Sequence, residues 1–385
     1  MPRLSRWPLR ARPPGSVRRW LGRLAAAGAA WLAFALPVAA HSGTGAEPPR
    51  GLLELLAEWS FDPLIQLPLL GFALAWLLAV RRVNRAHPGN AVPRLKVGCF
   101  LAGLLAIEVA LQSPIERYDT TLFSVHMAQH LLLTLVAAPL LALGSPVTVL
   151  LRLARPEQRQ RVLLPILHSR ALRVLSFPVV AWLIFAGVMW GTHFSPIFQE
   201  SLESPLVHDI EHLAYLAAGL LFWWPAVAAD PGPWRMPHPV RLLYVFLQMP
   251  QNTFLALAIY SSSVPLYRHY ATLDLDWGPG PVADQQLAGG LMWVGGDLIF
   301  LAAVMLIIAA WMRDEERRAA GVDARLGGEL EAIHAREHLL AARLARERGG
   351  DGPVPGARAA ASPTPGAPPA GDDADEPNIL PGSTA

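Results

Sequence analysis

Two pairs of histidines stand out in this chain of 385 residues: His126 with His130, and His208 with His212. Each pair has i, i+4 spacing, which in a helix sets both imidazoles on one face, one turn apart. Neutral imidazole binds copper and zinc well, and two rings a turn apart can share an ion or hand it on. A fifth histidine, His193, falls at the same level once the helices below are placed. Met127 adjoins the first pair and Met292 lies in a later apolar run; a thioether is a soft donor that favours Cu(I) over zinc. A lone histidine or methionine in such a place more often caps a helix or fills a core. Two pairs and a fifth ring at one depth point instead to a metal. Glu108 and Asp209, with Glu211 beside the second pair, are the carboxylates expected to hydrogen-bond the imidazoles and orient them; an interfacial place is the alternative, above all for Glu211.

The elements that must position these residues are membrane helices. The chain is 53% hydrophobic and 16% charged, where a soluble domain carries about a quarter charged residues. Apolar runs long enough to cross a bilayer recur near 61–80, 95–112, 122–144, 174–193, 206–227, 240–262 and 287–311. In lipid, every backbone amide must be paired within its own segment, so these runs are expected to be helices. The fold class is therefore all-α, a polytopic bundle of about seven spans. Pro139, Pro178 and Pro250 are compatible with helices that kink or end locally.

Lys and Arg set the orientation. With the mature N-terminus outside, the inner connections hold sixteen of them, from Arg81 to Arg318, and the outer segments only Arg50, Arg117 and Arg268. This places the protein in a bacterial inner membrane with the C-terminus cytoplasmic, and it gathers His126, His130, His193, His208 and His212 at the periplasmic face. Residues 1–40 read as a signal-like leader, with an arginine-rich start, an apolar run and small residues before His41. Residues 41–60 read as an outer segment, 61–311 as the membrane domain, 312–348 as a charged cytoplasmic helical extension and 349–385 as a disordered tail.

Other chemistries find less support. Cys99 is the single cysteine, which excludes a disulfide framework and a thiol-only metal site. No phosphate-cradling glycine loop or nucleophile elbow is present, and the basic loops are explained by topology, so no nucleic acid is expected as a partner. His208-Asp-Ile-Glu-His212 fits the H-x-x-E-H pattern of one zinc-peptidase class, on a short string. Haem between facing histidines is a further alternative, although shallow, closely spaced rings suit a small ion better.

Several motifs occur together in order. His126-Met-Ala-Gln-His-Leu-Leu-Leu132 is followed by Ala138-Pro-Leu-Leu-Ala-Leu-Gly144, and His208 to His212 by Gly219-Leu-Leu-Phe-Trp-Trp-Pro225. Asp284-Gln-Gln-Leu-Ala-Gly-Gly-Leu-Met-Trp293 opens the last span, and Ser113-Pro-Ile-Glu-Arg-Tyr118 lies in an outer loop. In these motifs, over roughly residues 60–311, the chain resembles the CtaG family of cytochrome c oxidase assembly factors. The resemblance implies a role in building haem–copper oxidase, with copper passing from a periplasmic donor to the oxidase catalytic subunit. It implies a chaperone or scaffold embedded in the lipid bilayer and no catalysis of its own.

Overall fold

The computed structural model describes residues 57–348, together with 47, 48, 51 and 53. The leader, most of the 41–60 segment and the tail over 349–385 lie outside these residues. Among the described residues every regular element is helical. Six helices are long and apolar enough to cross a membrane: Pro63–Ala86, Arg94–Tyr118, Phe123–Leu153, Pro205–Val227, His238–Tyr260 and Pro281–Glu347. A seventh span forms if Pro178–His193 and Pro196–Glu203, bent by 69° at their junction, count as one. All seven expected apolar runs are thus helical, and they are numbered here as spans in chain order. The fourth is short, 16 residues before the bend. Its continuation, Pro196–Glu203, is a short amphipathic helix that no long apolar run announces.

Prolines mark starts more than kinks. Pro63, Pro178, Pro205 and Pro281 each occupy the first turn of a helix, where a missing N–H costs nothing. Asp62 caps the first span by accepting from the Leu64 amide at 2.8 Å. The third span is capped from a distance. Asp284, at the start of the seventh span, accepts from the Phe123 amide and from the Ser124 hydroxyl, each at 2.5 Å. This carboxylate is 3% exposed, so Asp284→Ala would leave first-turn donors unpaired and untie two spans. A loss of about 1–2 kcal/mol is expected, seen as a lower thermal midpoint in detergent. Asp284→Asn, which keeps an acceptor, should lose less.

Burial singles out the third and fifth spans as the centre of the bundle. Half of the apolar window of each is buried, against 17% for the first span. These two helices approach closely where Gly219 meets the third span: a Cβ on it would lie 3.0 Å from the Ala138 Cβ and 3.2 Å from the Thr134 carbonyl. Around this contact, Met127, Phe185, Tyr215, Phe222, Leu255 and Phe300 form the main apolar core.

Two spans contain a wide π turn, at Leu132–Ala137 and Leu291–Gly295. A π turn interrupts the α-helical hydrogen-bond ladder, and inside a membrane the freed carbonyls need other donors. They find them in side chains. Trp223 Nε1 donates to the Thr134 carbonyl at 2.9 Å, and Thr134 Oγ1 donates to the His130 carbonyl at 2.7 Å. In the seventh span Asn252 Nδ2 donates to the Met292 carbonyl at 2.9 Å.

The chain divides into two compact units at Arg313 and Asp314. In the second unit the described residues are helical and almost all exposed. Pairs such as Arg318 with Asp314 at 2.6 Å and Arg343 with Glu347 at 2.9 Å line its surface. Exposed i, i+4 pairs of this kind add a few tenths of a kcal/mol each.

Candidate metal centre

The third and fifth spans start at the same end of the bundle, and their first turns bring the two histidine pairs together. Ring centroids are 4.3 Å apart within His126/His130 and 4.2 Å within His208/His212. Across the helices, His126 lies 5.4 Å from His208, and His130 lies 5.7 Å from His212. All four rings are buried.

Two carboxylates enter this cluster. Glu211 Oε2 is 3.9 Å from His126 Nε2 and 4.0 Å from His130 Nε2. Asp119 Oδ2 is 3.4 Å from His208 Nε2. The donors sort into two sets, His126/His130/Glu211 and Asp119/His208/His212, each with one ligand atom per residue within 4.8 Å of the others. Burial, with the Glu116 carboxylate alongside, holds the Asp119 carboxyl well above the ordinary carboxylate range.

Most of these donors have no hydrogen bond. Both nitrogens of His126 and of His130, His208 Nε2, both Glu211 oxygens and Asp119 Oδ2 are buried without a partner. The Ser201 hydroxyl donates instead to the Phe198 carbonyl at 2.8 Å. An unpaired buried polar atom costs about 1–3 kcal/mol, so a knot of them is expensive unless something satisfies it jointly. A cation does so at one stroke, since imidazole nitrogen and carboxylate oxygen are both metal donors.

The remaining predicted residues fall in three places. His193 and Met127 stand beside the first set, with His193 Nε2 at 3.4 Å from Met127 Sδ. His193 Nδ1 lies 2.7 Å from the Met189 carbonyl, which fixes the ring by its other nitrogen. Met292 joins Met127, His130 and His193 around a small cavity just below. Asp209 is exposed and away from the imidazoles. Glu108 faces the first span, where the Gln66 amide nitrogen, in the orientation that suits both groups, donates to it at 2.6 Å. The carboxylates at the rings are therefore Glu211 and Asp119, and the expectation for Asp209 and Glu108 is corrected.

Helix geometry explains the exchange. Residues 208, 211, 212 and 215 form one stripe at i, i+3, i+4 and i+7, so Glu211 shares a face with the pair, whereas Asp209 is turned about 100° from His208. That signal was present in the sequence. Asp119 sits in the connection after the second span, where no periodicity speaks. Gln129 was also missed: its amide donates to Glu116 at 2.6 Å, and its oxygen lies 3.1 Å from His212 Nε2. Phe198, on the unforeseen short helix, closes over the cluster with its ring 4.9 Å from His126. His269, between the sixth and seventh spans, packs against the connection that carries Asp119, its Nε2 2.7 Å from the Thr120 carbonyl.

Apolar helices of spanning length around a buried histidine–carboxylate cluster define a polytopic membrane protein with a candidate metal centre. The chain belongs to the cytochrome c oxidase caa3 assembly factor family (Caa3_CtaG), whose model matches residues 74–314. It is 31% identical over 301 residues to an uncharacterized protein of Mycobacterium bovis, covering 75% of this chain and 45% of that one. A second uncharacterized protein, from Mycobacterium leprae, is 29% identical over 283 residues, covering 71% of this chain and 42% of its own length. The chain thus spans a little under half the length of these curated relatives. No solved structure matches it.

Proposed function

We propose that this protein helps assemble a haem–copper cytochrome c oxidase by binding copper and aiding its delivery to the catalytic subunit. The two donor sets, His126/His130/Glu211 and Asp119/His208/His212, are the ligands in this reading. Met127, His193 and Met292 supply softer donors beside the first set. One observation carries it: eight buried donor atoms of these sets have no hydrogen bond and converge from the third span, the fifth span and the connection that holds Asp119. Family membership supports the oxidase as the destination. The excess of arginine at the opposite end supports a periplasmic position for the centre, within reach of a periplasmic copper donor. The role is that of a chaperone, not of a catalyst.

Two rival readings fit the geometry less well. In a zinc hydrolase the H-x-x-E-H glutamate would serve the same ion as its two histidines. Here Glu211 lies with His126 and His130, while His208 and His212 take Asp119. Haem needs a porphyrin-wide slot, whereas these four rings pack on one another and on Phe198 and Tyr215.

The test is metal content and optical spectrum of the detergent-purified protein beside a His126/His130/His208/His212 quadruple alanine variant. Near-stoichiometric copper, lost in the variant, is the expected result. A Soret band would establish haem instead, and zinc the hydrolase. A protein that stays metal-free after anaerobic Cu(I) loading would leave a scaffold without metal. In cells, His130→Ala should lower oxidase copper content while the variant stays in the membrane.

A further inference from the structure

A buried centre needs a way in, and one side of the bundle provides it. A groove of about 1690 Å³ opens among the first, second, third and fifth spans. Its walls are apolar along most of their length, with Leu69, Ile107, Leu141 and Leu216 among them. At the histidine end the lining changes. Asp62, Glu116, Asp119 and Asp209 border the groove there, with His208. Arg117 is the cation at this mouth, and Glu58 holds its guanidinium at 3.1 Å.

The carboxylates form a graded series. Asp209 is exposed, Glu116 is partly buried and Asp119 is 1% exposed. Glu116 is within electrostatic reach of Asp209 and Asp62, and Asp119 within reach of Glu116 and Glu211. At the inner end of the series, Asp119 Oδ2 and His208 Nε2 face each other at 3.4 Å, both without a hydrogen bond. His208 is 8% exposed, so these are buried donors at the inner end of a route that begins in solvent. Gln129 ties the route to the centre, since it bonds Glu116 on one side and lies against His212 on the other.

We propose that Asp209, Glu116 and Asp119 conduct a metal cation from the groove mouth to the Asp119/His208/His212 set, which loads before His126/His130/Glu211. The ligand class is a transition-metal cation, and the inference rests on the metal-binding reading above. His208 and Asp119 border the groove while the His126 set lies behind them, so an ion from the mouth meets the second set first. Asp209 at the exposed end concentrates cations between low-dielectric walls, with Glu116 and Asp119 as oxygen donors further in, and such focusing raises on-rates by about 10-fold to 1000-fold. The final ligands would hold the same number of ions without it; only their filling would slow.

The full-length protein in detergent tests this with Cu(I) supplied as its cationic acetonitrile complex, anaerobically and at low ionic strength. Uptake is stopped at timed intervals with excess anionic Cu(I) chelator, and retained copper is counted. Asp209→Asn should slow uptake several-fold, and Asp209→Asn with Glu116→Gln about tenfold or more, with the same copper retained at the end. Added salt should slow the wild type towards the double variant and leave that variant nearly unchanged. Wild-type uptake rates in both variants overturn the route, as does less retained copper at an unchanged rate, which would make these carboxylates structural. If the double variant does not fold, Asp209→Asn and the wild-type salt dependence decide alone. A wild-type protein that retains no copper overturns the centre itself and the route with it.

Discussion

On the copper-binding reading, replacing Glu211 with glutamine will cost the protein the ion at His126 and His130 while making the metal-free protein harder to unfold. The two effects share a cause. Glu211 is buried, neither of its oxygens has a hydrogen bond, and the groups facing it are the imidazole rings of His126 and His130, 3.9 and 4.0 Å away. An ionised carboxylate in that position carries a desolvation penalty of several kcal/mol that only a bound cation offsets. Glutamine removes the penalty and removes the negative ligand too. Copper affinity at this set should fall at least 10-fold to 100-fold, the range that even outer partners of metal ligands command. The metal-free midpoint should rise by a few degrees, since about 1 kcal/mol shifts a domain of this size by about 2–4 °C. Competition titration with Cu(I) and unfolding scans with and without copper measure both. Unchanged copper affinity alongside lost hydrolytic turnover would make Glu211 a general base and revive the zinc-enzyme reading.

Gly289→Val is expected to deplete the protein from the membrane. A Cβ at Gly289 would lie 2.9 Å from the Tyr260 amide nitrogen and 3.0 Å from the Ala256 carbonyl. Those are backbone atoms of the sixth span, which cannot yield as a flexible side chain would. The two spans must separate, at about 1–3 kcal/mol or more for overpacking. The separation also moves Asp284, which caps the third span, and Met292 beside the soft cavity. Membrane-resident protein should drop to a small fraction of wild type. Gly290→Val is the control, because nothing lies within 4 Å of a Cβ there while the change in helix propensity is the same. Equal losses in the two variants would show that helix propensity, not contact, sets the effect.

The long spans and the convergence of His126, His130, His208 and His212 could be read from the sequence because both follow from simple periods. A bilayer demands about 20 apolar residues per helix, and i, i+4 spacing fixes a face. Neither rule reaches the connections. Asp119 and the Pro196–Glu203 helix lie between spans, where three-dimensional closure alone decides what meets what. Asp209 and Glu211 differ by only two positions, yet one is exposed and the other buried against the rings. Depth in the membrane suits both residues, and angle around the helix is what separates them. Glu108 went astray for the same reason, being at a suitable level but turned towards Gln66.

The π turns at Leu132–Ala137 and Leu291–Gly295 divide their spans into independent reading frames. Each holds one residue more than an α-helix would, so the half that carries His126 and His130 is offset by about 100° from the half beneath it. The half that carries the histidines and the half beneath it can therefore diverge separately under mutation, as exchangeable modules. Point substitutions below the turn repack locally without steering the imidazoles. A single-residue deletion within the Leu132–Ala137 turn acts on the first pair together, swinging His126 and His130 off the cluster at once. Tolerance to substitution combined with intolerance to deletion is the mutational signature this architecture should leave.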